Sequence, residues 1–206
     1  MDNLKKFNTE ADYSAATLNY PAVSYIVNDD VVHYDKSGKK VDIKATYNVT
    51  ATTEDIKLYV GAGEGSGSGS GSGGGFTPLR MWIDGVEETP SATWAFTTTG
   101  EHIVEYELQE NDTTIPEGAF KECYNLIEIE VADNITEIGE LAFYYCYIDN
   151  FIIHSVTPPT LVSDSAFMDT PIAHGEGYIN VPAESVTAYQ SATNWNFYSS
   201  QIRAIS

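Results

Sequence analysis

The sequence holds 206 residues, 42% of them hydrophobic, enough to bury one or two cores. Its net charge of −20 is uneven: residues 1–80 carry ten acids and eight bases, whereas residues 81–206 carry twenty acids against Lys121 and Arg203. Such a field repels phosphate backbones and anionic lipid, which argues against nucleic-acid or lipid partners, and no apolar run nears the ~20 residues a membrane span needs.

Fourteen tyrosines point to a mainly β chain, because the ring packs on a pleated surface while its hydroxyl stays wet. The opening MDNLKKFNTEADYS has two lysines but neither the apolar stretch nor the small-residue cleavage site of a signal peptide. Residues 9–18 fit one short helix, with Asn8 or Thr9 as its cap and Pro21 beyond its end. SYIV at 24–27 and VVHY at 31–34, joined by Asn28, Asp29 and Asp30, fit a hairpin. This helix-hairpin module, residues 1–40, has too few apolar residues for a core of its own. Leu18, Ile26, Val27, Val31 and Val32 are therefore expected to form an anchoring patch against another chain.

From residue 41 the pattern changes to strands. VDI at 41–43, YNV at 47–49 and IKLYV at 56–60 alternate apolar and polar residues, and LRMWI at 79–83, WAF at 94–96 and IVEYEL at 103–108 follow as further strand-like segments. Such a series reads as a small β-sandwich over residues 41–110. The glycine–serine run at 65–75 then lies inside it as a flexible loop, an inserted segment or a natural expansion, without the Lys-Ser/Thr ending of a phosphate-binding loop. In the strand at 79–83, Leu79, Met81 and Ile83 share one face. Trp82 then points outward beside Arg80, either as a ligand platform or as cover for a neighbouring loop.

Residues 111–206 repeat themselves. TTIPEGAFKECYNLIEIEV is answered by TEIGELAFYYCYIDNFIIH: Ile115 matches Ile138, Ala119-Phe120 matches Ala142-Phe143, and Cys123 matches Cys146, at a step of 23. Leu126, Ile129 and Val131 then match Ile148, Phe151 and Ile153 at a step of 22, and a partial third unit places Ala166-Phe167 in the same role. A period of 22–24 fits leucine-rich-type coils, each adding a strand and a turn that buries its Ala-Phe pair against the next coil. YINV at 178–181 is expected as the last strand. Pro182 then opens a capping helix over 183–191 that shows Val186 and Tyr189 on one face, before Trp195 and Phe197 close the stack. Cys123 and Cys146 should lie close together, either as a staple between coils or as two buried thiols. Trp82, Tyr144 and Tyr145 are the candidate surface contacts.

Catalytic and metal patterns are missing from the sequence. His33, His102, His154 and His174 have no zinc spacing, no Gly-x-Ser-x-Gly elbow is present, and no Asp-x-Asp-x-Asp-Gly loop offers a calcium site. His154, after the in-facing Ile153, should reach solvent. The chain is therefore expected to be no enzyme and to carry no cofactor and no metal.

The stretch IPEGAFKECYNL at 115–126 resembles the BspA-like leucine-rich repeat common in surface proteins of gut Bacteroidetes, and VPAESVTAYQSATNW resembles the cap that closes such repeats. TTGEHIVEY at 98–106 resembles the last strand of the immunoglobulin-like domain that often precedes them. The N-terminal module looks like the start of virion or prophage proteins of the same bacteria. The resemblance implies a non-enzymatic display protein with an immunoglobulin-like sandwich before its short solenoid. Two settings follow: a virion-exposed decoration or fibre-like protein of a Bacteroidetes phage, or a secreted cell-surface adhesin. The expected partner is a protein or a glycan, and self-association, a trimer included, is expected with no membrane insertion.

Overall fold

The computed structural model describes residues 6–7, 25–27, 30–32, 39–61 and 75–205, and it is mainly β. At the N-terminus β1 (Lys6–Phe7), β2 (Tyr25–Val27) and β3 (Asp30–Val32) form a small sheet, β2 pairing antiparallel with β3 and parallel with β1. Ile26, Val27, Val31 and Val32 of the expected anchoring patch lie on these strands. Leu18, the helix expected over 9–18 and all but the last residue of the glycine–serine run lie outside the described residues.

The remainder is organised by one sheet. Four strands come from the segment expected to form a sandwich: β4 (Ile43–Val49), β6 (Arg80–Ile83), β7 (Val86–Glu88) and β9 (Gly100–Glu107). Four come from the repeats and their cap: β11 (Leu126–Val131), β13 (Asn150–Ile153), β15 (Tyr178–Val181) and β16 (Ile202–Ala204). They are ordered β16-β15-β13-β11-β4-β9-β6-β7. β4 alternates cleanly, with Ile43, Ala45, Tyr47 and Val49 inward, and it pairs antiparallel with β9 on one side and β11 on the other. The strands of 41–110 are thus continuous with the repeat sheet, with no sheet boundary near residue 110. A separate immunoglobulin-like sandwich is not confirmed: period-2 alternation fixes which face of β4 is buried, but not which strands lie beside it.

Over β4 and β9 lies a thinner layer, in which β5 (Ile56–Lys57) pairs antiparallel with β8 (Thr93–Trp94). Tyr47 donates its hydroxyl to the Leu58 carbonyl at 2.5 Å, so the buried phenol keeps a partner. Val60 N–H donates to the Ala119 carbonyl and Phe76 N–H to the Val60 carbonyl, so this layer docks on the first repeat turn as another coil would.

Each repeat coil uses a second, short parallel ladder: β10 (Thr114–Ile115), β12 (Glu137–Ile138) and β14 (Thr160–Leu161), in register at the 23-residue step. On the main sheet Ile129 pairs with Phe151 and Val131 with Ile153, the register read from the sequence. Between the ladders the turns bury Ala119, Phe120, Ala142, Phe143, Ala166 and Phe167. Their rings form a column: Phe120 stacks on Phe143 at 5.7 Å between centroids and Phe143 on Phe167 at 5.2 Å. Phe76 extends it at one end, 5.2 Å from Phe120, and Tyr198 at the other, 5.4 Å from Phe167.

The third coil is complete, not partial. Asn150 pairs with Tyr178 at a step of 28 where Glu128 pairs with Asn150 at a step of 22, so an inserted segment hides the match. Tyr178–Val181 is not the last strand either, because β16 pairs with it in parallel. The cap is α1 (Val186–Ser191) and a 3₁₀ turn at Trp195–Tyr198. Tyr189 donates its hydroxyl to the Ser155 carbonyl and Trp195 its indole N–H to the Pro159 carbonyl, each at 2.8 Å. Trp195 and Tyr198 close the stack, whereas Phe197, expected to do so, is 67% exposed; the 3₁₀ turn puts the following residue inward instead.

Two backbone features fix the coil spacing. A Cβ on Gly139 would lie 2.4 Å from Glu117 N, so this glycine lets neighbouring coils touch. Glu122, Tyr145 and Asp169 hold the same place in successive coils, and all three are left-handed, with φ of 61°, 58° and 59°. Cys123 and Cys146 are free, buried thiols, and Cys146 Sγ donates to the Phe120 carbonyl at 2.9 Å. Burial pushes both thiols above their ordinary range, Cys146 to about 12, so they act as small core side chains and not as nucleophiles.

Candidate binding surface

Two surfaces of the stack face outward. The first is the outer face of the main sheet, where Lys44, Glu128, Glu130, Asn150, Asn180 and Arg203 come from adjacent strands. Asn150 donates to Glu128, Asn180 to Asn150 Oδ1 at 2.5 Å, and Arg203 Nε to Asn180 Oδ1 at 2.8 Å. The chain of bonds runs from a carboxylate to a guanidinium across four strands, and the same guanidinium lies 3.6 Å over the Tyr178 ring. Glu130 is held by His154 Nε2 at 2.7 Å and Lys44 Nζ at 3.2 Å. His154 thus reaches the half-exposed outer face, but it is bonded there to a carboxylate.

The His154 hydrogen bond lowers the Glu130 pKa most, burial opposes it, and Lys44 adds to it; the result is about 2. A carboxylate depressed in the folded state stabilises above its unfolded pKa of ~4.3 and loses that contribution as pH falls toward 2. Urea midpoints of wild type and Glu130→Gln are therefore expected to differ at pH 6 and to converge between about pH 4.5 and 2. A constant difference across that range would mean that the ion pair adds no pH-dependent stability.

Trp82 lies on this outer face, as alternation requires, but it is only 3% exposed. Lys39 Nζ and the Arg80 guanidinium cover the ring at 4.8 and 4.7 Å. Both cations are themselves bound, Lys39 to Glu105 and Arg80 to Glu87 and Glu107. Of the two readings of Trp82, platform or cover, the ring is itself covered, and Leu79, expected inward with Met81 and Ile83, is instead exposed. The cover on Trp82 comes partly from Lys39, a residue too distant in sequence for strand alternation to reveal.

The second surface is the turn edge, where each coil passes from its short strand to its main strand. Tyr144 and Tyr145 meet there edge-to-face at 4.6 Å, far from Trp82 in strand order. Two further tyrosines join them that the sequence reading did not single out. Tyr124 and Tyr147 occupy one place in adjacent coils, each just after the buried cysteine, and both are exposed. The repeat itself held the signal, since the two tyrosines are one period of 23 apart. Met168 follows Phe167 as Tyr144 follows Phe143, and the Tyr145 N–H donates to the Met168 carbonyl at 3.2 Å.

Folding alone gives little reason for a tyrosine at 145. Left-handed backbone costs a bulky residue about 1–2 kcal/mol that glycine avoids. Tyr145→Gly is accordingly expected to leave the melting temperature within a few degrees of wild type, or to raise it, the relief offsetting an entropic cost of about 0.4–1 kcal/mol. A loss above about 2 kcal/mol in urea would make this tyrosine a packing residue.

Among the described residues, no group of three or more His, Cys, Asp and Glu side chains is placed to share a metal ion. No helix among them is long and apolar enough to cross a membrane.

Residues 89–173 match the family model described as a BspA type leucine rich repeat region (6 copies). The match begins upstream of the expected boundary at residue 110, in keeping with the continuous sheet, and covers the three Ala-Phe turns. No curated protein matches the chain. Over residues 89–173 the chain is thus similar to BspA-type leucine-rich repeats, and the stacked coils described above are what such repeats build.

Proposed function

We propose that this chain is a non-enzymatic display protein. Its repeats present a contact surface to a protein or glycan partner, and residues 1–40 fasten it to whatever displays it. The observation that supports this most is the set of exposed tyrosines on the turn edge, on coils whose cores are already filled by the phenylalanine column. Loops that carry aromatic side chains unused by the fold are the usual place for recognition on a rigid scaffold.

Two display settings fit. A secreted adhesin at a bacterial cell surface is favoured by the repeat match over 89–173. A decoration or fibre-like protein on a phage particle is favoured by the small three-stranded N-terminal sheet, whose strand edges could pair with another chain. Gold-labelled antibody against residues 111–206 separates these settings. Label on intact cells supports the adhesin, and label on purified particles supports the decoration protein. Label reached only after lysis, with none on particles, would end the display reading.

A further inference from the structure

The turn edge has chemistry specific enough to name a partner. Tyr124, Tyr145 and Tyr147 are 55%, 46% and 63% exposed, Met168 is 42% exposed, and Tyr144 lies half-buried among them. The three turns, residues 116–124, 139–147 and 162–171, contain Glu117, Glu122, Glu140, Asp164 and Asp169 against one base, Lys121. That lysine sits over the Tyr144 ring at 5.5 Å, and Lys57 Nζ reaches Glu122 at 3.9 Å from the preceding layer. At the far side of the sheet, Arg203 covers Tyr178 in the same way. In both pairs the basic side chain lies on the ring's face.

The electrostatics point the same way. The Tyr144 hydroxyl is pushed above its ordinary range, first by desolvation, then by Tyr145 and by the negative charges of Asp169 and Glu122. Those two carboxylates come from the coils on either side, so the negative field crosses the edge and is not confined to one turn.

We infer that the edge formed by Tyr124, Tyr144, Tyr145, Tyr147 and Met168 docks an extended, arginine-rich segment of a partner protein. Guanidinium groups stack on tyrosine faces at low desolvation cost, and carboxylates beside the rings take their N–H donors. The net charge of −20 adds long-range attraction for such a segment. A neutral glycan would use the ring faces but gain nothing from five flanking acids. The inference rests on the display reading only in taking the partner to be a protein, and its test does not depend on where the chain is displayed.

The full chain is titrated calorimetrically, at about 150 mM salt, with a synthetic peptide of alternating arginine and serine and with the same peptide carrying citrulline for arginine. The arginine peptide is expected to bind at least about tenfold more tightly than the citrulline one. Tyr144→Ser/Tyr147→Ser, which leaves net charge unchanged, is expected to weaken it by at least about tenfold. Tyr124→Ser/Tyr145→Gly provides a second variant should the first melt early. Equal binding by wild type and both variants would reduce the effect to diffuse attraction by an acidic protein and overturn the proposal. Equal binding of the two peptides would overturn it as well. Tyrosine-dependent binding of a neutral oligosaccharide, with none of the arginine peptide, would assign the edge to glycans instead.

Discussion

Phe143→Ala is expected to destabilise the protein by about 3–5 kcal/mol, the range for truncating a fully buried aromatic ring. Phe143 is the middle ring of the column, with Phe120 at 5.7 Å on one side and Phe167 at 5.2 Å on the other. Phe151 of β13 meets it edge-on at 5.4 Å, so it also ties the turn to the main sheet. Truncation opens a cavity between two coils held by hydrogen bonds such as Phe120 N–H to Ala142 C=O at 2.7 Å, and these restrain the collapse that would soften the loss. Phe120→Ala is expected to fall in the same range, since Phe76, Tyr106 and Phe143 surround that ring. Urea unfolding monitored by tryptophan fluorescence measures both. Unfolding within about 1 kcal/mol of wild type in either variant would mean that the Ala-Phe pair does not carry the stacking.

The parts of the fold legible in the sequence are those in which the chain can be compared with itself. Phe120, Phe143 and Phe167 could be placed inward because each follows an alanine at one period. The parallel register of β11 and β13 followed from the same comparison. Legibility failed where partners are distant. Nothing local in residues 43–49 says that one edge of this strand will meet residues 126–131, yet that pairing joins the first half of the protein to the repeats. The third coil reads as only partial because inserted residues break the period between Asn150 and Tyr178. For the candidate surface, Tyr144 and Tyr145 could be named from their turn, while Trp82 could be placed on the correct face but not recognised as covered. Tyr124 and Tyr147 were within reach, but strand alternation does not operate in a turn and only the repeat phase exposes them.

The junction of β4 with the repeats yields the second large expected effect. Asp42, 1% exposed, stands one residue before β4 and is bonded to three parts of the chain. Its Oδ2 accepts from Leu108 N–H at 2.8 Å, just beyond β9, and its Oδ1 accepts from Asn134 Nδ2 at 2.6 Å, in the loop after β11. Lys40 Nζ lies 3.2 Å from the same Oδ1, and the Asp42 carbonyl accepts from Ala132 N–H at 2.9 Å. Asp42→Ala would remove the acceptor from the Leu108 N–H, the Asn134 amide and the Lys40 ammonium together. Removing one partner of a buried charge-assisted set costs about 3–5 kcal/mol, because the donors left behind are not resolvated. Asp42→Asn is the sharper probe, since it keeps size and hydrogen-bonding capacity. With its oxygen toward the Leu108 N–H, the new amide turns its N–H groups toward the Lys40 ammonium, and it meets Asn134 favourably only if that amide turns over to offer its otherwise unpartnered Oδ1. A loss of about 2–3 kcal/mol is therefore expected from asparagine, and more from alanine. The alternative, that β4 is held to the repeats by backbone pairing and packing alone, requires both variants to stay within about 1 kcal/mol of wild type. The order alanine below asparagine below wild type in urea midpoint would instead show that a single carboxylate clamps the first half of the sheet to the solenoid.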